Sequence, residues 1–283
     1  MRSRAALLAL ICCIVLVPAC GEQVDHRGPP TDLENGTSGG ADAEELPLEA
    51  IDGDSLRDQE GNEYRLIGIN APDRGECLFS ESASRLHELT DGITLEIENG
   101  DEFFDQFKRR LVYVFWTSGS GRQLINQTLV EEGLALAIHT PEQSAHADRL
   151  FEAQDAARSQ NAGLWNPDAC GAGPPVHLEI VEINSNPPGP DDERLDDEYV
   201  VIANGSDALI DLSGFTVRDE STRNRYAFPP GFELDPGASV RITSGDGAFG
   251  FGTGSPIWNN NGDTVIVLDE HGRIVGFAAV TGR

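Results

Sequence analysis

The sequence predicts an α+β barrel domain followed by an all-β, immunoglobulin-like sandwich, and three observations carry that prediction. Before residue 170, strand-type alternation is interspersed with three helical stretches, the mixture expected of a small barrel with helices on one side. From about residue 176 the chain shows only short apolar runs separated by Pro-Gly and Asn-Gly turns, the pattern of a sandwich. Between the halves, the segment from Asn166-Pro167-Asp168 through Cys170-Gly171 to Pro174-Pro175 gathers turn residues where helical periodicity stops. A length of 283 residues suits two domains, and a hydrophobic fraction of 39% is enough to bury their cores.

The amino end comes first. Arg2 and Arg4 precede the apolar run Ala5 to Val17 and the small residues up to Ala19-Cys20-Gly21. A charged start, an apolar stretch and a small-residue cleavage site make 1–19 a secretory signal, since the run falls short of the ~20 residues that cross a bilayer. Residues 20–45 hold Gly28-Pro29-Pro30, Asn35-Gly36 and Gly39-Gly40 among carboxylates and read as a flexible acidic tether. The folded domains are then 46–170 and 176–283.

In the first domain, Tyr64 to Ile69 follows a Glu60-Gly61-Asn62 turn, and Ile93 to Ile97 and Leu111 to Phe115 alternate as strands. One helix starts near Ser80 with Leu86 and Leu89 inward. A second starts at Asn126, read as its cap, and runs through Leu129 and Val130 to Gly133. A third spans about Glu142 to Gln160, with Leu150, Phe151 and Ala157 apolar and Gly163 as a left-handed cap beyond its end. Ser118-Gly119-Ser120-Gly121 reads as a hairpin loop. The second domain shows seven strand-like runs between Leu178 and Ala278, with Phe215 and Trp258 as core aromatics.

With Cys12 and Cys13 removed by cleavage and Cys20 in the tether, Cys77 and Cys170 remain in the folded part. Two cysteines in an exported chain invite a disulfide, the alternative being two buried free thiols. Such a bond would close a long loop and stabilise the fold by roughly 4 kcal/mol.

Charge limits the function. With 48 acidic and 20 basic side chains the formal net charge is -28, which excludes a broad basic surface for phosphate backbones. Lys108 is the one lysine, so cationic chemistry falls to arginine forks.

Two segments nevertheless gather chemistry. Asp52-Gly53-Asp54 places two carboxylates around a glycine, and Asn70-Ala71-Pro72-Asp73 adds an amide oxygen, a carbonyl and another carboxylate. Hard oxygen donors of this kind suit Ca2+, although both segments are also ordinary turn formers. Arg65 opens the strand leading to Asn70, and Arg109 opens another. Metal, carboxylate and two arginines are the parts needed for phosphodiester hydrolysis. His87 and His146 lack a second ligand at helical spacing. His139 reads as a solvated residue or a base-stacking one, and the acidic run Asp191-Asp192-Glu193 and Asp196-Asp197-Glu198 as a solvated loop, the alternative being a calcium-holding one.

These residues resemble a known family. Ala50 to Ser55, Arg65 to Asp73, Asp105 to Arg109, Asn126 with Leu129-Val130, Gly133-Leu134-Ala135 and Gly163-Leu164-Trp165 occur in the order and spacing of the thermonuclease (micrococcal nuclease-like) family. The resemblance implies a five-stranded OB-fold barrel with three helices and a calcium-dependent endonuclease acting on DNA or RNA to leave 3'-phosphate ends. It assigns Asp54, Asn70 and the Ala71 carbonyl to the metal, with Asp52 beside them, Asp73 to the general base and Arg65 and Arg109 to the phosphate. The chain departs from the family pattern at Asn70 (usually Asp), Asp73 (usually Glu), Lys108 (usually Gly) and Phe107 (usually Tyr). From about Val176, Ile180 to Pro187, Asp211 to Phe215, Leu234 to Gly237 and Trp258 to Val265 resemble the lamin-tail domain, here a binding or spacing module of unknown ligand. Leu16 to Cys20 resembles the lipobox of bacterial lipoproteins, which implies that Cys20 carries a lipid anchor.

The combined expectation is a monomeric, exported nuclease at the outer face of the cytoplasmic membrane or cell surface, or otherwise secreted, acting on single-stranded or flexible nucleic acid. The alternative is a catalytically weakened or inactive surface-tethered protein that binds nucleic acid or the cell surface.

Overall fold

The structure is a computed structural model that describes residues 44–119, 121–139, 145–171, 176–221, 223–260 and 262–280. The expected signal 1–19, Cys20 and the tether as far as residue 43 lie outside the described residues. The described residues belong to one compact unit.

The amino-terminal domain begins with β1 (Glu44–Pro47), β2 (Glu49–Ala50), β3 (Ser55–Arg57), β4 (Glu63–Leu66) and β5 (Ile69–Asn70). Then follow α1 (Phe79–Thr90), β6 (Thr94–Phe104), β7 (Arg110–Ser118), β8 (Gly121–Leu124), α2 (Ile125–Glu131), β9 (Leu136–Ala137) and α3 (Ala147–Ser159). The curved sheet has the order β1-β6-β7-β4-β3-β2, with β8 on β7. β1 starts two residues before the expected boundary at 46, because Glu44 already pairs with Ile97 of β6. Leu56, Leu66, Leu95, Val112 and Val114 of the sheet meet Leu86 of α1, Leu129 of α2 and Leu150 of α3 in one core.

The expected strand Tyr64 to Ile69 is broken. Gly68 takes φ 74°, a conformation open to glycine, and the chain leaves β4 to form β5, which pairs with β9 instead. This turn carries Asn70 and Asp73 out of the barrel sheet.

Two expectations about helix ends are corrected. Asn126 is not a cap but lies in the first turn of α2, fully buried. Its Oδ1 accepts the Val114 N–H at 3.1 Å and its Nδ2 donates to the Ile67 carbonyl at 2.9 Å, bracing α2 to β7. After α3 the cap position is taken by Asn161 (φ 51°), and Gly163, left-handed as expected (φ 51°), follows two residues further on. Gly163 also serves a close approach: a Cβ there would lie 2.2 Å from the Gly133 carbonyl oxygen, and one on Gly133 would lie 2.2 Å from that of Ala162. The Leu164 N–H donates to Gly133 across this contact at 2.8 Å. The β7–β8 hairpin forms where expected, although Ser120 lies outside the described residues.

The carboxy-terminal domain contains β10 (Leu178–Asn184), β11 (Tyr199–Asn204), β12 (Ile210–Asp211), β13 (Thr216–Arg218) and β14 (Arg225–Ala227). It continues with β15 (Glu233–Leu234), β16 (Ser239–Thr243), β17 (Asp263–Leu268) and β18 (Ile274–Val280). Sheets of order β10-β11-β16 and β14-β13-β17-β18, with the short pair β12-β15, enclose a core that holds Phe215 and Trp258. β14 and β15 were not among the expected strands, being two or three residues long between turns. In the acidic run, Asp192 and Glu193 are exposed as expected, but Glu198 is fully buried. Its carboxylate accepts hydrogen bonds from Ser244 Oγ and the Ile257 N–H.

The two domains share a third apolar cluster. Cys77, Leu136, Ile138 and Leu164 of the first pack with Ile266 and Leu268 of the second, and the Trp165 and Phe277 rings meet edge to face at 6.1 Å. Cys77 and Cys170 form a disulfide beside it, with a Cα–Cα distance of 5.7 Å. The second domain is therefore packed on the first.

Candidate active site

The corner Asp52-Gly53-Asp54 is shaped by α1. A Cβ on Gly53 would lie 2.1 Å from Ser82 Oγ and 2.6 Å from the Ala71 Cβ, so only glycine lets the corner sit against the helix. Asp54 is buried. Its Oδ2 accepts the Ala71 N–H at 2.8 Å and stands 3.0 Å from Arg65 Nη2, its Oδ1 accepts from Ser55 Oγ at 3.1 Å, and its own N–H donates to Asp52 Oδ1 at 3.1 Å. Burial pushes the Asp54 carboxyl up; Arg65 opposes this and Asp52 adds to it. A buried carboxylate with a second one beside it gains from a cation.

Arg65 reaches Asp54 because Ser55 and Arg65 are partners across β3 and β4. Its Nη1 also donates to the Leu66 carbonyl at 2.8 Å. Arg109 is fixed by the turn before β7: Asp105 Oδ1 accepts the Phe107 and Arg109 N–H groups at 2.8 and 2.9 Å, and Asp105 Oδ2 takes Arg109 Nε at 2.7 Å. Lys108 closes this turn at φ 66°, a conformation that glycine takes more easily.

Asn70, Asp73 and Glu76 meet the second domain. Arg218, only 2% exposed, points both terminal nitrogens at Asn70 Oδ1 (3.1 Å each) and one at Glu76 Oε2 (3.0 Å). Its Nε lies 2.9 Å from Glu76 Oε1. Asn70 Nδ2 donates to the Glu220 carbonyl at 2.8 Å. Arg225 Nη2 binds Asp73 Oδ2 at 2.6 Å and Glu76 Oε1 at 2.7 Å, while Glu76 Oε2 also accepts the Asp73 N–H at 2.8 Å. Burial pushes the Asp73 carboxyl up against the pull of Arg218, with a net rise. For Glu76, burial is outweighed by Arg218, the Asp73 N–H and Arg225, so its carboxyl is held below the usual range.

The donors fit a cation in part. Asp52, Asp54 and the Ala71 carbonyl are the hard oxygens calcium takes, whereas Asn70 Oδ1, expected as a ligand, faces a guanidinium here. A further acidic group stands next to it. Oxygens of Asp219, Glu220 and Asp263 all lie within 4.8 Å of one another. Burial, then Glu220, raises Asp219 to about 6, and the same causes raise Asp263.

Asp54, Arg65, Asn70, Asp73 and Arg109 all line one cleft of about 640 Å³, and Glu220, Ser221, Arg223 and Asn259 of the second domain form part of its wall. Sequence reading missed Arg218, Arg223, Arg225 and Glu76. For Glu76 a signal existed, its spacing three residues after Asp73; the three arginines come from the second domain, Arg223 to the cleft itself and Arg218 and Arg225 to Asn70, Asp73 and Glu76. His139 does not stand free as a base-stacking residue but stacks on Phe151 at 4.2 Å. His146 contacts Glu98 at 2.9 Å, away from the cleft-lining residues.

Fold and cleft together define a barrel domain with a cleft lined by carboxylates and arginines, joined to an all-β sandwich that forms part of the cleft wall. Comparison with known proteins agrees: residues 63–167 match the staphylococcal nuclease homologue family, and residues 172–281 match the lamin tail domain. A micrococcal nuclease of Shigella flexneri is 28% identical over 170 residues, covering 57% of this chain and 86% of that protein. A thermonuclease of Staphylococcus hyicus is 25% identical over 130 residues, covering 42% of this chain and 73% of that protein.

Proposed function

We propose that this protein is an exported, calcium-dependent nuclease that hydrolyses phosphodiester bonds of single-stranded or flexible DNA or RNA, as an endonuclease leaving 3'-phosphate ends. The observation that carries this reading is the convergence of Asp54, Arg65, Asp73 and Arg109 on one cleft. The matched micrococcal nuclease and thermonuclease support it. Export with a lipid anchor at Cys20 rests on the leader pattern, and the Cys77–Cys170 disulfide is in keeping with an oxidising compartment.

Each residue has a task its surroundings permit. Arg65 and Arg109 present guanidinium forks to the phosphate oxygens and offset the charge that grows there in the transition state. Each is already held in place by a carboxylate, so little side-chain freedom is lost on binding substrate. Asp73 takes the proton from the attacking water, and burial makes it a stronger base than an exposed aspartate. Calcium, held by Asp54, Asp52 and the Ala71 carbonyl, would supply Lewis-acid polarisation of the phosphate. Arg225 positions Asp73 through its second carboxylate partner, Glu76.

A second reading draws on the same contacts. Arg225 on Asp73 and Arg218 on Asn70 occupy groups needed for turnover, which favours a weakened or inactive, tethered binding protein. Digestion of single-stranded DNA by the full chain separates the two. Cleavage in calcium that stops in chelator is expected of the nuclease; intact DNA in both conditions overturns it in favour of the binding protein.

A further inference from the structure

We propose that Arg223, contributed by the carboxy-terminal domain, is a phosphate-binding residue of the cleft. This rests on the nuclease reading of the same cleft and adds to it a residue from outside the barrel domain.

Three observations converge on Arg223. It lines the cleft together with Arg65 and Arg109. Its guanidinium stands over the Phe107 ring, 4.7 Å from the centroid, while Arg109 lies 5.5 Å from the same ring. Phe107 thus links the arginine of one domain to that of the other. Finally, Arg223 has no carboxylate partner among the described residues, in contrast to Arg65 with Asp54 and Arg109 with Asp105. Four other arginines of the second domain, Arg194, Arg218, Arg225 and Arg273, are also ion-paired.

The loop that carries Arg223 is shaped around Asp219. Asp219 Oδ1 accepts the Ser221 N–H at 2.8 Å, Asp219 Oδ2 accepts from Asn224 Nδ2 at 2.6 Å, and the Arg223 N–H donates to Ser221 Oγ at 3.4 Å. The backbone is held on both sides while the guanidinium stays exposed. An exposed guanidinium resting on an aromatic face keeps its N–H donors at the rim free for an anion.

Charge makes the position matter. The cleft is lined by Asp54, Glu63, Asp73, Glu102, Asp105 and Glu220 against the guanidiniums of Arg65, Arg109 and Arg223 alone. In a chain of net charge -28, phosphate entering such a cleft depends on each cation present. Arg65 and Arg109 are partly neutralised by their own partners, so Arg223 is the guanidinium most open to a phosphate of the strand.

The test measures binding apart from turnover, using a fluorescent phosphorothioate single-stranded oligonucleotide that resists cleavage, with calcium and over a series of salt concentrations. Arg223→Ala is expected to weaken binding about tenfold, the scale of one charge-assisted hydrogen bond. It should also flatten the slope of log affinity against log salt by about 0.7, one phosphate contact on a single strand. Arg223→Lys should keep that slope, and Arg194→Ala, a paired surface arginine, should change nothing. On ordinary DNA, Arg223→Ala should raise KM and leave kcat within about twofold. Affinity and slope for Arg223→Ala equal to those of Arg194→Ala, a fall in kcat with KM unchanged, or no binding by the wild type would each overturn the proposal. Arg223-dependent binding without cleavage of ordinary DNA would sink the nuclease reading and leave the Arg223 site standing.

Discussion

Asp219 shows how a single residue couples the cleft wall to pH. Its carboxyl is 3% exposed and raised from 3.8 to about 6, by burial first and then by Glu220. A carboxyl whose folded pKa is raised contributes stability fully below its unfolded pKa and loses it as pH rises through the folded value. Between pH 4 and pH 7 the ionised form should therefore cost up to about 3 kcal/mol. Denaturant unfolding of wild type and Asp219→Asn should show their stability difference shifting against the wild type as pH rises across that window; a constant difference contradicts the assignment. Residues of this kind were only partly legible. Asp52, Asp54, Arg65 and Asp73 could be picked out because local spacing places their carboxylates and guanidiniums; Asp54, Arg65 and Asp73 line one cleft, and Asp52 stands behind Asp54. The surroundings of Asn70 could not be foreseen. Its amide bridges Arg218 and the Glu220 carbonyl, and an aspartate there would place an oxygen against that carbonyl. The contact supplies a structural reason for asparagine that has nothing to do with a metal.

At the scale of elements, local pattern located the helices and strands but not their cross-links. Asparagine before an apolar run is usually a helix cap, which is what the sequence suggests for Asn126. Its side chain instead holds β7 and the loop after β4 to α2. Asn126→Ala should leave a buried N–H and a buried carbonyl unpaired, at a cost of about 1 to 3 kcal/mol each. The expected result in thermal unfolding is a clear loss of stability; a loss of a few tenths of a kcal/mol, typical of an exposed position, would contradict the bracing role. The break at Gly68 was invisible for a related reason. A strand pattern continues through it, and only the pairing of β5 with β9, residues far apart in sequence, shows where the chain goes. The two short strands β14 and β15 depend on tertiary partners in the same way.

For the whole molecule, both architectures were legible from composition and turn placement, whereas the interface was not. The side chains that form it, such as Leu136 and Ile138 against Ile266 and Leu268, look like ordinary core positions of separate domains. Removing the second domain would expose this cluster and leave Glu76 without Arg218 and Arg225. Substitution within the full chain is therefore a cleaner probe than truncation. The net charge of -28 also takes on a clearer meaning. Among the described residues, ion pairs spread across both domains consume most of the cations, and three guanidiniums gather at one cleft beside the Asp54 and Asp73 carboxylates. Brief encounters with flexible strands fit such a site better than a tight grip on a duplex.

The most direct measurement is the calcium-dependent rate of single-stranded DNA cleavage by the full chain and by an Arg65→Ala, Arg109→Ala double variant that unfolds at a comparable temperature. Removal of a single oriented charge donor costs about 100-fold or more in rate, so the account expects the double variant to lose at least that factor in kcat/KM. Equal cleavage by the two proteins would contradict it.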